Sequence, residues 1–266
     1  MSTRKKRSGG PKSKRIRDIN AQELDKEAAE MGESLSEEIC NPNPIKRALK
    51  IKQFPWTEKQ KEFFRVALAE NTKIVFVKGP AGTSKSLLSV YCGLQLLNNK
   101  TISDIMYLRS AVESSESRLG FLPGSADEKL RFYNLPFLDK LDELVADATS
   151  ERLEKEGRIS MYPVNFARGM SWKSKCIILD EAQNSTKKEI TTLLTRLGQG
   201  SRCFILADPM QTDLYRKELQ GGFESVVESF SNEESKSWGI ETFEFTEEDV
   251  MRSPLVKYIV KTLSKK

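Results

Sequence analysis

Eight consecutive residues constrain this chain more than any others: Gly79, Pro80, Ala81, Gly82, Thr83, Ser84, Lys85 and Ser86. They match G-x-x-x-x-G-K-[ST] at every fixed position but one. The apolar run Ile74–Val77 precedes them and the helical pattern Ser86–Asn98 follows. A glycine-bearing turn between strand and helix lets backbone N–H groups wrap a phosphate, and the helix N-terminus adds the positive end of its dipole. In that arrangement Lys85 reaches the β- and γ-phosphates of a nucleotide and the Ser86 hydroxyl sits on Mg²⁺. The departure is Ser84, which stands where the last glycine would be and narrows the backbone angles open to the loop.

A strand that feeds such a loop needs a parallel sheet around it, and the rest of the chain supplies one. Ile105–Leu108, Cys176–Leu179 and Cys203–Leu206 are apolar throughout, the pattern of strands buried on both faces. Lys187–Leu197 reads as a helix between the last two. Ile159–Tyr162 is a further strand, Ile240–Phe245 an edge strand, and Ser253-Pro254 opens a last helix with serine as its cap. The stretch between Ser110 and Arg168 is long enough for one or two helices.

Two carboxylate positions fall at strand ends. Asp180 and Glu181 follow Cys176–Leu179, where Asp180 can hold Mg²⁺ and Glu181 can act on an attacking water. The chain has no histidine. Catalytic pairs built on imidazole are therefore excluded, and Glu181 is the natural general base. Asp208 and Gln211 follow the next strand, placed to sense the γ-phosphate and orient water. An Asp-capped turn is the plainer reading of Asp208.

Charge is distributed unevenly. The 43 basic and 38 acidic residues leave a formal charge of +5, yet residues 1–17 hold eight cations and no acid. That segment cannot bury enough apolar surface to fold alone and is expected to be a basic tail. Residues 18–41 hold eight acids against Lys26. Leu24, Ala28, Met31 and Leu35 recur there at helical spacing behind a capping box at Asn20 and Glu23. An acidic helix and linker over 18–50 is expected, either folded back on the tail or packed on the core. The four cysteines form no C-x-x-C pair, which fits reduced thiols in a cytoplasmic protein. The basic start has no apolar run behind it, unlike a secretory signal. Leu87–Asn99 is too short to span a membrane, which takes roughly 18–20 apolar residues.

Taken together, these residues resemble the PhoH-like ATPase family, whose core is similar to the first RecA-like domain of superfamily 1 helicases. The resemblance is carried by the phosphate loop and by Leu119–Gly124 with Glu128 and Lys129. Arg168-Gly169, Asp180–Asn184, Leu194–Gly198, the run Asp208, Gln211, Thr212 and Asp213, and Asp249–Val256 complete it. It departs at Ser84, at Ala207, where a glycine is usual, and at Ser253, where histidine is common. The resemblance implies an α/β fold, a P-loop NTPase with a RecA-like parallel sheet flanked by helices, as a single domain over 51–266. It also implies ATP and Mg²⁺ as cofactors and hydrolysis coupled to RNA or single-stranded nucleic acid, without membrane association. A nucleotide-gated binding protein with little turnover, or a P-loop kinase, is the alternative.

Helicase-like domains of this type often read adenine with a glutamine upstream of the loop, a role that falls to Gln60, with Thr57 beside it. A helix start capped by Thr57 explains the same residues, and both can hold. Phe54 or Trp56 could stack on the base. Arg252, Arg196 and Arg168 could contact a γ-phosphate, and each is as readily an ordinary ion-pair partner; Arg109 is a weaker candidate. One RecA-like domain leaves its nucleotide on an open edge. A homo-oligomer, with a hexamer favoured, is therefore expected, in which Arg252 or Arg196 acts across the interface.

Overall fold

Six short runs form one parallel sheet. In the computed structural model, which describes residues 43–110, 126–146, 149–164, 171–208, 210–212 and 221–263, the strands are β1 (Ile74–Lys78), β2 (Asp104–Arg109), β3 (Ile159–Pro163), β4 (Lys175–Asp180), β5 (Arg202–Ala207) and β6 (Ile240–Glu244). Their spatial order is β3-β2-β4-β5-β1-β6, and every pairing is parallel. The four central strands are the apolar ones, since only they are covered on both faces. The expected strands are all present, and Ile240 begins an edge strand as its mixed pattern implied.

The described helices are α1 (Glu58–Leu68), α2 (Lys85–Asn98), α3 (Ala126–Leu144), α4 (Thr149–Lys155), α5 (Lys187–Leu194), α6 (Gly222–Phe230), α7 (Glu233–Ser237) and α8 (Pro254–Leu263). They flank the sheet in two layers, and β4 shows how. Cys176 and Ile178 face a core shared with Phe63, Leu94 and Phe137 from α1, α2 and α3. Ile177 and Leu179 face the other core, with Ile190 and Phe223 from α5 and α6. This alternation is the two-residue period of a strand.

One sequence expectation is corrected. The helix read as Lys187–Leu197 stops at Leu194, with Thr195 as its cap. The chain then turns so that Leu197 bridges Trp172. Residues 43–50, the end of the segment read as acidic helix and linker, put Ile45 and Leu49 into the main core. Asn98 holds Leu49 by two hydrogen bonds, Leu49 N to Oδ1 at 2.7 Å and Nδ2 to Leu49 O at 2.9 Å. The buried Arg158 guanidinium donates to the carbonyls of Asn43 and Pro44. The described residues all belong to one compact unit, Asn41–Lys266. Residues 1–40, with the basic tail and acidic helix read there, lie outside the described residues, as do Leu119–Gly124, Arg168, Gly169 and Asp213.

The topology fixes where chemistry can occur. Because all strands run the same way, the C-terminal ends of β1, β5, β4 and β2 lie along one edge. In open α/β sheets the crevice at that edge is the place for a ligand.

Candidate functional site

At the end of β1 the chain passes close beneath the residue after β6. A Cβ on Gly79 would lie 2.7 Å from the Phe245 carbonyl oxygen, with φ at 155°, so only glycine fits. The loop then rises to Ser84, which takes φ 65° and ψ 19° and stands as the N-cap of α2 without a side-chain cap bond. Serine thus adopts the left-handed conformation that a glycine would take freely. The loop keeps its shape, at the cost of strain in the residue that departs from the pattern.

Lys85 leads α2, and its ammonium donates to the carbonyls of Gly79 at 2.6 Å and Pro80 at 2.9 Å. Burial pushes its pKa down, and the carboxylates of Asp208, Asp180 and Glu181 oppose that shift. Ser86 points across the edge and donates to Asp180 Oδ2 at 2.8 Å. Tyr107 on β2 donates to the same oxygen at 2.8 Å, and the Glu181 N–H donates to Oδ1 at 3.0 Å. Burial, with the Asp180 charge beside it, pushes the Tyr107 phenol well above its usual pKa, so it stays a donor.

Glu181 also lies in the left-handed region, at φ 55° and ψ 39°, where the chain leaves β4 for a short 3₁₀ turn over Ala182–Asn184. Strain of this kind concentrates where the surrounding structure forces it. The carboxylate accepts from Gln183 Nε2 at 2.7 Å and pairs with Arg109 at 3.7 Å. Gln183 is buried and ties three groups together. Besides holding Glu181, its Oε1 accepts from the Asp208 N–H at 3.0 Å, and its Nε2 donates to the Gln211 carbonyl at 3.2 Å. The Asp208 carboxylate accepts from the Met210 N–H at 3.1 Å, the Asp-capped turn that the sequence allowed.

These groups surround a cleft of about 380 Å³. Ala81, Gly82, Ser84, Lys85, Ser86, Asp180, Glu181, Asp208, Gln211 and Arg252 all line it. Gly79 and Pro80 line a neighbouring cleft of about 620 Å³ against Glu244–Glu248, which shares Asp208. Thr83 is buried, and its hydroxyl donates to the Pro80 carbonyl at 2.9 Å. Thr57 and Gln60 line neither cleft. They form a capping box on α1, with Thr57 N to Gln60 Oε1 at 3.0 Å and Gln60 N to Thr57 Oγ1 at 3.2 Å. Trp56 packs its ring against Phe54, Phe64 and Tyr91.

The arginines separate clearly. Arg252 lies over its own phosphate loop, where its Cγ would be 2.9 Å from a Cβ on Gly82, and the Met251 N–H donates to the Gly82 carbonyl at 2.8 Å. Arg196 follows α5, and its carbonyl accepts from the Trp172 N–H at 3.0 Å, ahead of β4. It therefore stands at the opposite edge of the sheet from the cleft.

Three residues of the site were not singled out as such from sequence, whereas Arg109, a weaker candidate there, pairs with Glu181. Gln183 lies two positions past Glu181. Tyr107 carries the one polar tip in the run Ile105–Leu108, a signal that could have marked it. Lys140, paired with Glu143 at 3.7 Å on the cleft's rim, comes from α3 and had no signal in sequence.

The donors facing each other here are oxygens only. A hydroxyl and a carboxylate 2.8 Å apart beside a phosphate loop suit magnesium, a hard cation that takes one or two protein oxygens and completes its shell with phosphate and water. Among the described residues no cluster of three or more His, Cys, Asp or Glu side chains could hold a metal unaided. No described helix is long and apolar enough to cross a membrane.

A sequence profile described as PhoH-like protein matches residues 52–264. A PhoH-like protein of Bacillus subtilis is 36% identical over 90% of this chain and 72% of its own length. One from Mycobacterium tuberculosis is 37% identical over 77% of this chain and 56% of its own length. Against the latter, the chain thus spans little more than half of its relative. Protein PhoH2 of Bacillus subtilis is 33% identical over 67% of this chain and 42% of its own length. Among solved structures, a Pif1 helicase from Candida albicans aligns at a TM-score of 0.36 and 16% identity, over 73% of this chain and 41% of that one. That likeness is too loose to bear on function.

The Ser84 backbone generates a prediction. A left-handed non-glycine residue costs about 1–2 kcal/mol, while the extra freedom of glycine in the unfolded chain takes back about 0.4–1 kcal/mol. Relief of strain outweighs that loss, so Ser84→Gly should raise the melting temperature by roughly 1–4 °C for a chain of this size. A lower melting temperature would mean that the serine side chain makes a contact worth more than the strain.

Proposed function

This chain belongs to the PhoH-like protein family, and from that premise we propose that it is a magnesium-dependent ATPase whose turnover is coupled to RNA or single-stranded nucleic acid. The observation that carries the reading is the convergence of Lys85, Ser86, Asp180 and Glu181 on one cleft at the head of a phosphate loop. Ser86 and Asp180 would hold magnesium, which when bound neutralises charge on the β- and γ-phosphates. Lys85 has its Nζ above the loop and offers a second positive charge to the same oxygens. Glu181, held by Gln183 and Arg109, takes the proton of the attacking water. Gln211 lines the cleft beside it and helps to place that water. Arg252 faces its own nucleotide and can stabilise charge that develops in the transition state. Support for nucleic acid comes from the eight cations of residues 1–17, which could neutralise several phosphates. A cytoplasmic location goes with this reading, and adenine recognition by Gln60 is retained as part of it. The Gln60 oxygen has a second lone pair beyond its capping bond.

Lys85→Ala and Glu181→Gln should fail in different ways. The first removes charge from the phosphates, so ATP binding and hydrolysis both fall. The second removes only the base, so binding persists while turnover drops by ~10²-fold or more. The measurement is ATP affinity beside single-turnover hydrolysis, and equal loss of affinity in both variants would refute the roles.

The open edge of the cleft supports assembly of several copies, a hexamer being the favoured ring. Since Arg252 attends its own site and Arg196 lies at the far edge of the sheet, a head-to-tail contact would present Arg196 to the next subunit's nucleotide. An arginine of this kind is worth ~10³–10⁵ in rate. Mixing Glu181→Gln subunits with Arg196→Ala subunits should restore activity that neither has alone. Activity that stays absent in the mixture, or a fully active monomer, would contradict the assignment.

A further inference from the structure

Asp180 receives three hydrogen bonds, and one of them comes from a residue that no nucleotide could reach. Tyr107 is 1% exposed. Its ring stacks on Phe137 of α3 with centroids 4.6 Å apart and planes 18° from parallel. Its backbone lies in register with Ile178, two residues before Asp180. The ring is thus fixed by a helix on one side and by the β2–β4 ladder beneath it. Its hydroxyl is delivered to Asp180 Oδ2 at 2.8 Å, the oxygen that also accepts from Ser86.

We propose that Tyr107 is a positioning residue for magnesium, holding the Asp180 carboxylate in the orientation that the cation needs. This rests on Ser86 and Asp180 being the protein's magnesium ligands. Rotational freedom is what matters here. A carboxylate at a strand end can rotate about its last bond, and a donor on each oxygen is needed to fix its plane. The Glu181 N–H holds Oδ1 at 3.0 Å, which leaves Oδ2 to Ser86 and Tyr107. The Ser86 hydroxyl is itself called on by the cation. Tyr107 has no other task at the cleft and cannot swing away, so its bond sets the plane of the carboxylate before magnesium arrives. Groups of this type, which orient a ligand without touching the metal, change metal affinity by ~10–100-fold when removed.

The experiment uses the full chain and a fluorescent ATP analogue, titrated with magnesium at fixed nucleotide and, separately, in EDTA. Tyr107→Phe keeps the ring in its stack and removes only the hydroxyl. The magnesium midpoint should rise by ~10-fold while affinity in EDTA is unchanged. Tyr107→Leu, which lacks ring and hydroxyl alike, should shift the midpoint by as much. In an Asp180→Asn background Tyr107→Phe should produce no further shift, because the effect passes through that carboxylate. An unchanged midpoint, an equal loss of affinity with and without magnesium, or a full shift that persists in the Asp180→Asn background overturns the proposal. A parent chain whose nucleotide binding ignores magnesium would refute instead the ligand assignment beneath it.

Discussion

The hydrogen bond from Ser86 to Asp180, 2.8 Å long and spanning 94 residues of sequence, is the contact that makes one site of two motifs. Each motif alone is an ordinary feature of an α/β protein: a glycine-bearing turn, and a pair of acids after a buried strand. Their meeting depends on sheet order. β5 lies between β1 and β4, so the first turn of α2 must reach across the end of β5 to meet the end of β4. Ala207 ends β5 at that crossing, and its carbonyl accepts from the Gly79 N–H at 3.2 Å. A sheet that set β1 and β4 several strands apart would leave the lysine and the carboxylates out of reach of each other.

The two left-handed residues of the site follow from the same requirement. Ser84 must turn the chain from the Gly79–Thr83 loop into the first turn of α2 within one residue. Glu181 must turn a strand into a 3₁₀ segment within one residue, so that its carboxylate returns over the cleft. Each stores strain of order ~1–3 kcal/mol. At Glu181 the Gln183 amide and the Arg109 guanidinium hold the side chain that results. The same Gln183 links Glu181 to Asp208 and Gln211, joining the ends of β4 and β5.

Much of this was legible in sequence because it is local. Apolar runs marked the four central strands, and the phosphate loop carried its own strand and helix signals. Asp180 and Asp208 were found because they end such runs. What was not legible depends on tertiary approach. Tyr107 reads as one more core residue until β2 is known to pair with β4. Lys140 is brought to the cleft by a helix whose place no local pattern fixes. Residues 43–50 looked like linker because two buried side chains, Ile45 and Leu49, are too few to make a period. Gln60 shows the reverse case. Its capping role was legible and is present, and it lines neither cleft at the sheet edge.

The claim that joins these observations is that the cleft turns over a nucleoside triphosphate. The direct measurement is phosphate release from ATP by the intact chain, with magnesium or with EDTA, with and without single-stranded RNA, at a stated salt concentration. The account predicts turnover with magnesium, none in EDTA, and acceleration by RNA. Absence of magnesium-dependent release under all of these conditions would contradict it.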